Sequence, residues 1–341
     1  MSAKLTICIP IYNCAEFVGE ALDSILSQIN DEVEIVVYDG GSTDSTSVLM
    51  QAYVNAWPNL HYHRGASRGG IDADMATCVS FATGEYCWLF SGDDVMRVNA
   101  ISLALVEILS GKDVYICKHT ICSKSMKILH EHPVLNFDGP YESNFLDSDQ
   151  RAEWFSKAAT TEAFFSFISG LIVHREKWNS GRLIPEFNGS CWGHVARLFE
   201  ISKAGLKVKY VSEIWLDQRG DNDSFADKGV VNRFRIAIEG YHKIANHFFG
   251  INSIEAFHIR RVIRNEFRLS SLLSAKIQTK INPKLESKAL LDNLVNMAYL
   301  DQSFTNYMVR ILYATFPYSL FLVARFFFRS FKKIKMKIRN V

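Results

Sequence analysis

Apolar positions in the first third of the chain alternate between two periods. Short runs at 5–9, 34–38, 60–63 and 86–90 have the length and residue types of buried strands. Between them, 15–28 carries Phe17, Val18, Ala21, Leu22, Ile25 and Leu26 at helical spacing, and 45–56 and 71–82 also read as helices. Strands and helices alternating at these lengths predict parallel strands, right-handed crossovers and helices over both faces. The fold class is therefore α/β, at least as far as Lys118.

Beyond Lys118 the pattern loosens. Residues 136–150, rich in Asn, Asp, Ser and Gly, read as a long loop, followed by a helix over 152–158 and the apolar run Ser166 to His174. A helix is expected over 192–204, a strand over 207–215 and a polar knot from Gln218 to Ser224. The remainder is helical, with stretches near 229–249, 254–275, 284–299 and 303–329. The 341 residues exceed what one ordinary core needs. They divide into a domain at 1–225, with a nucleotide-binding half at 1–118 and an acceptor half at 119–225, and a helical region at 226–341.

Composition changes this picture at one end. At 48% hydrophobic and 22% charged the chain is globular, and 38 Lys+Arg against 36 Asp+Glu give no global field for nucleic acid. Seven of those cations, Arg325, Arg329, Lys332, Lys333, Lys335, Lys337 and Arg339, lie in the last 17 residues, which hold no acid. Without them the body is at −5, so the net +2 is an acidic body joined to a basic tail. Residues 311–328 are mostly apolar but interrupted by Pro317 and Arg325. An interfacial helix on an anionic membrane surface fits them better than a span. The seven cysteines contain no C-x-x-C pair and support neither a zinc site nor a disulfide framework. With no secretion signal visible at the start, a cytoplasmic location is expected.

Polar and glycine-containing features gather at three strand ends: Pro10 to Asn13, Asp39 to Asp44, and Ser91 to Asp94. In open α/β sheets that edge binds ligands, so one site built from three loops is predicted. Two adjacent carboxylates, Asp93 and Asp94, suit a hard divalent cation that would neutralise a diphosphate. Asp39, followed by Gly40-Gly41 and a helix start, suits a nucleotide base or ribose, although an Asx turn accounts for the same residues. His61 and His63 alternate on a short strand without a third ligand and read as ordinary strand histidines.

The ordered set Pro10, Tyr12, Asn13; Asp39, Gly41, Ser42, Thr43, Asp44; Gly70, Gly84, Asp93, Asp94 resembles the family 2 glycosyltransferases, over roughly residues 4–118. GEYCWLFSGDD, FSFISGLIVHREKW, GHV and RGDNDSF look, more narrowly, like the abequosyltransferases and related O-antigen dideoxyhexosyltransferases. That resemblance implies a GT-A (Rossmann-like) fold with a mainly helical C-terminal extension. It also implies transfer of a 3,6-dideoxyhexose from a CDP-sugar to a lipid-linked oligosaccharide at the inner face of the cytoplasmic membrane. Carried over by position, Pro10, Tyr12, Asn13, Asp39, Asp72, Asp93 and Arg219 would line the donor site, with Arg219 reaching the diphosphate. Asp94, with Asp93, would hold Mn2+ or Mg2+, in a motif where Ser91 replaces the usual first Asp. The acidic pair that often begins the helix at 192–204 is replaced by Trp192-Gly193-His194. His194 is then a candidate base, or a helix-start histidine bonded to backbone, while Asp221 and Asp223 could join the metal shell or acceptor pocket. A donor with UDP or GDP, and a sugar-nucleotide-binding scaffold without catalysis, are the alternatives.

Overall fold

The computed structural model describes residues 3–222 and 225–317. In chain order its elements are β1 (Leu5–Ile11), α1 (Val18–Leu26), β2 (Val33–Asp39), α2 (Thr46–Ala56), β3 (Leu60–Arg64), α3 (Ile71–Ser80), β4 (Tyr86–Leu89), β5 (Val95–Met96), α4 (Ala100–Glu107) and β6 (Val114–Cys122). There follow β7 (Ile128–His132), β8 (Tyr141–Asn144), α5 (Ser148–Lys157), β9 (Leu171–His174), α6 (Arg175–Ser180), α7 (Gly193–Ser202) and β10 (Lys207–Arg219). The helices α8 (Val230–Phe248), α9 (Ile254–Glu266), α10 (Leu269–Ile281), α11 (Lys288–Ala298) and α12 (Phe304–Thr315) complete the order.

The strands form one sheet in the order β3-β2-β1-β4-β9-β6-β10-β5, with β7 on β6 and β8 on β10. Every residue of β1 is buried, as a near-continuous apolar run between two parallel neighbours requires. α1 covers the sheet with Val18, Leu22 and Ile25, which join a core containing Ile7, Ile9, Trp88 and Trp215.

Hydropathy alone misleads in four places, one being the stretch near 254–275, which is broken at 267–268 between α9 and α10. The parallel expectation holds for β3, β2, β1 and β4, but β9 enters between β4 and β6 antiparallel to both. A short buried strand looks the same in either direction, so its sequence carries no sign of orientation. The segment expected to be a loop at 136–150 contains β8 and the start of α5. Tyr-Glu-Ser-Asn makes a strand there because it pairs with β10 on one side only, exposing Glu142 and giving the buried Ser143 hydroxyl a partner in the Gln150 carbonyl at 3.1 Å. The last helix, expected to reach 329, ends at Thr315: Phe316 is extended (ψ 117°), as a residue before a proline prefers. Most of 311–328 and the whole basic cluster lie outside the described residues. Among those described, no helix is long and apolar enough to cross a membrane.

The described residues form two compact units, 3–222 with 240–262, and 225–239 with 263–317. In the first, Tyr241 donates to the carbonyls of Thr161 (3.4 Å) and Phe164 (3.2 Å), and Arg261 donates to those of Phe155, Ser156 and Ala158. Residues 240–262 are therefore packed against α5 and the turn that follows it. In the second, the buried Glu286 carboxylate accepts the amides of Val230 (2.8 Å) and Val231 (2.9 Å), and Tyr313 donates to Asp292 at 2.7 Å.

Candidate active site

The parallel register aligns the ends of β1, β2 and β3, placing Ile11 opposite Asp39 and Asp39 opposite Arg64. Asp39 is fully buried there. Its Oδ1 accepts the Ser42 amide at 2.7 Å, its Oδ2 accepts the Tyr62 hydroxyl at 2.7 Å, and the Arg64 guanidinium stands 3.6 Å away. Gly41 has φ +80°, and a Cβ on it would lie 3.2 Å from the Ser67 backbone. A glycine is needed for both reasons: the left-handed turn and the approach of the loop at 65–70. Asp74 is buried beside this turn and accepts the Gly69 amide at 3.1 Å; burial pushes its carboxyl above the usual range.

The other residues of the first two loops bind the loops to each other. The amide of Asn13 donates to Ser42 Oγ at 2.9 Å, and the Asn13 side-chain oxygen accepts the Thr43 amide at 2.8 Å. The amide of Cys14 donates to Thr46 Oγ1 at 2.9 Å. Pro10 lies within β1 opposite Tyr38, and the Tyr12 ring lies under the Arg68 guanidinium, 4.4 Å from its centroid.

Asp93 and Asp94 sit between β4 and β5, and the sheet brings two distant segments to them. β9 starts beside the end of β4, Leu171 opposite Leu89, which delivers Ser169. β5 pairs with β10 through Met96 and Leu216, which delivers Arg219. Asp94 is buried; its Oδ2 accepts the Ser169 hydroxyl at 2.6 Å and its Oδ1 accepts the Arg219 amide at 2.9 Å. Burial, then the adjacent Asp93 charge, push the Asp94 carboxyl up to about 8, against those two hydrogen bonds. Asp93 accepts from Ser91 Oγ and, at 2.7 Å, from Asn222 Nδ2. Each carboxylate oxygen keeps a lone pair beyond the bond it accepts. Two crowded carboxylates, one poorly solvated, form an oxygen donor set that a hard divalent cation fits.

Arg219 is buried, and its guanidinium is engaged by protein: Nε donates to the Asp93 carbonyl (2.8 Å), Nη1 to the Lys124 carbonyl (2.6 Å) and Nη2 to Glu20 (2.6 Å). This geometry orders the carboxylate loop from behind. Asp221 follows with φ +56° and an exposed side chain, and Asp223 lies outside the described residues.

Asp72, in the first turn of α3, reaches the start of α7, where its carboxylate accepts the amides of Cys191 (3.0 Å) and Gly193 (2.8 Å). It meets the positive end of that helix, with its unpaired amides. His194, one residue on, is buried, with Nε2 2.9 Å from the Phe165 carbonyl; burial lowers its basicity although Asp72 opposes the shift. His61 and His63 are separately placed, His61 3.9 Å from Glu34 and His63 stacked on Phe81.

The profile of Glycosyl transferase family 2 matches residues 6–169. The abequosyltransferase RfbV of Salmonella typhimurium is 31% identical over 255 residues, which are 73% of this chain and 76% of that protein. The chain belongs to glycosyl transferase family 2. It is a glycosyltransferase with the GT-A fold and a helical C-terminal region. Among solved structures, S. aureus TarS 1-349 in complex with UDP superposes with a TM-score of 0.59 at 16% identity, covering 87% of this chain and 80% of that one. The mannosyltransferase PcManGT from Pyrobaculum calidifontis, in complex with GDP-Man and Mn2+, gives 0.52 at 15% identity over 92% and 85%. At these identities both likenesses bear on the fold.

Sequence reasoning missed Ser169, Asn222, Tyr62, Arg64 and Glu20. Ser169 and Asn222 fall inside the FSFISGLIVHREKW and RGDNDSF stretches, which carried a signal but gave these two residues no role. The other three carry none, because their contacts depend on strand register and helix placement.

Proposed function

We propose that this glycosyltransferase moves a 3,6-dideoxyhexose such as abequose from a CDP-sugar to a lipid-linked oligosaccharide during O-antigen assembly. The similarity to an abequosyltransferase carries this reading, because it extends over 73% of the chain, well past the third that holds the general nucleotide-sugar motifs. The nucleoside would sit against Pro10, Tyr12, Asn13 and Asp39, with Asp72 and Asp93 toward the sugar and diphosphate. Asp94 and Asp93 would hold Mn2+ or Mg2+, which when bound offsets the negative charge of the departing nucleoside diphosphate. Residues 226–341 would contribute to acceptor and membrane binding, with the basic tail on the anionic inner face of the cytoplasmic membrane.

In the transfer the acceptor hydroxyl oxygen bonds to the anomeric carbon, the bond from that carbon to the phosphate oxygen breaks, and CDP leaves. The hydroxyl proton needs an acceptor. Of the candidates, Asp221 is exposed and next to the Asn222–Asp93 bond, whereas His194 is buried and bonded to backbone. We assign the proton to Asp221 and give His194 the role of fixing the start of α7. Arg219 becomes a positioning residue for Asp93 and Asp94, in place of the phosphate contact expected from the sequence.

Asp94→Asn tests this reading. The amide has the shape of the carboxyl: its oxygen keeps the Arg219 amide, its NH2 can donate to the Ser169 hydroxyl oxygen, and the repulsion with Asp93 is removed, so thermal unfolding should stay near wild type. Transfer from CDP-abequose to a lipid-linked acceptor should fall roughly 100-fold or more, the scale of losing one electrostatic stabiliser of a transition state. Wild-type turnover in the variant overturns the carboxylate assignment. Turnover by the wild type only with UDP- or GDP-sugars overturns the donor assignment, and no turnover with any donor supports the scaffold alternative.

A further inference from the structure

A second cluster of metal-type ligands lies in the same unit and is not used by the chemistry above. His119 of β6 and His132 of β7 are directly paired across the antiparallel ladder, their rings stacked with centroids 4.9 Å apart. Glu162, in the turn after α5, brings Oε2 to 3.0 Å from Nε2 of His132. One ligand atom from each of the three side chains can be chosen so that all lie within 4.8 Å of one another. A tetrahedral ion with bonds of about 2.0–2.2 Å holds its ligands about 3.4 Å apart, so side-chain rotation of about 1 Å closes the set.

The unusual member is His119. Its ring is fully buried, the Phe167 ring lies 4.3 Å away, and neither ring nitrogen has a hydrogen-bond partner among the described residues. The Gln218 side chain comes near without hydrogen-bond geometry. A fully buried imidazole with both nitrogens unmatched is costly in a packed protein, and its cost is removed when one nitrogen binds a ligand.

We propose that His119, His132 and Glu162 bind a transition metal ion of the zinc class. Two imidazole nitrogens and one carboxylate oxygen are the donor set that zinc-like ions prefer. Mg2+, Ca2+ and Mn2+ favour all-oxygen sets such as Asp93 with Asp94. His132 and Glu162 are partly exposed, which gives an ion a way in and leaves a fourth position for water. The ion would clamp the β6–β7 hairpin to the turn at 161–164, whose carbonyls hold Tyr241.

The test uses the full chain, stripped with chelator and titrated with Co2+, whose visible ligand-field bands report four-coordinate nitrogen and oxygen ligation. The expected result is one equivalent with intense bands that persist in Asp94→Asn. Glu162→Gln and His132→Asn should each weaken binding by at least 10–100-fold, the range already seen for outer-shell partners of metal ligands. Zn2+ should displace Co2+ and raise the melting temperature of the wild type and not of either variant. Both variants are on the rim, so if one fails to fold by circular dichroism the other decides. Three results overturn the proposal: no bands in the wild type, bands that survive both rim substitutions, or bands that disappear in Asp94→Asn.

Discussion

Asp72→Asn should be among the most destabilising single changes near the site. The carboxylate is buried and joins α3 to the first turn of α7 through two amide donors at 3.0 and 2.8 Å. An asparagine keeps one acceptor oxygen and turns an NH2 toward the second amide, so one buried backbone N–H loses its partner and faces another donor. A hydrogen bond to a charged group contributes about 1.5–3 kcal/mol, and the helix N-terminus adds about 0.3–1 kcal/mol for a negative charge. The expected loss is roughly 3 kcal/mol. At about 2–4 °C per kcal/mol for a unit of this size, the melting temperature should fall by roughly 6–12 °C. Thermal unfolding followed by circular dichroism measures this, and amide exchange at Cys191 and Gly193 should become faster in the same variant. A shift below about 2 °C with unchanged exchange would falsify the claim that Asp72 holds α7 in place.

Two further substitutions probe the frame around the site. Glu34 accepts from Thr6 Oγ1 (2.5 Å), Thr83 N (2.6 Å) and Thr83 Oγ1 (2.9 Å); burial alone would raise its carboxyl, but these bonds outweigh it and hold the group below 4.5. A depressed carboxyl stabilises the fold above its unfolded value and loses that contribution as pH falls through the folded one. Glu34→Gln should therefore be less stable than wild type by about 2 kcal/mol at pH 7, with the gap narrowing below pH 4.5. A gap that stays constant down to pH 3 in urea titrations refutes this. Arg219→Lys replaces a three-way fork with a single ammonium and should cost about 3 kcal/mol in chemical denaturation, because two of its three acceptors lose a charged donor. A loss under about 1 kcal/mol would mean that the carboxylate loop is ordered by something else.

What could be read from the chain followed from periodicity. The apolar runs of β1 and β2 have their period set by burial on both faces, so strands, helices and the ligand-binding edge emerged together. Asp39 and Asp93–Asp94 stood out because the first ends a strand and the pair follows one. Ser42, Thr43 and Asp44 belonged to the same motifs, yet their contacts show that they bind loop to loop. A motif marks residues that occur together and does not separate those that touch ligand from those that shape the rim.

The sequence by itself determined the α/β class, the edge of the sheet that carries the site, the family and the acidic body with its basic tail. These depend on local pattern and on residue type. Tertiary structure decided the direction of β9, the engagement of Arg219 by its own protein, the capping of α7 by Asp72 and the meeting of His119, His132 and Glu162. Each depends on which strands become neighbours. Ser169 and Arg219 reach Asp94 from 75 and 125 residues away, because β9 lies beside β4 and β10 beside β5. A hydrophobic pattern fixes which face of a strand is buried; it does not name the strand alongside, and in this protein that neighbour supplies the partners of the acidic pair.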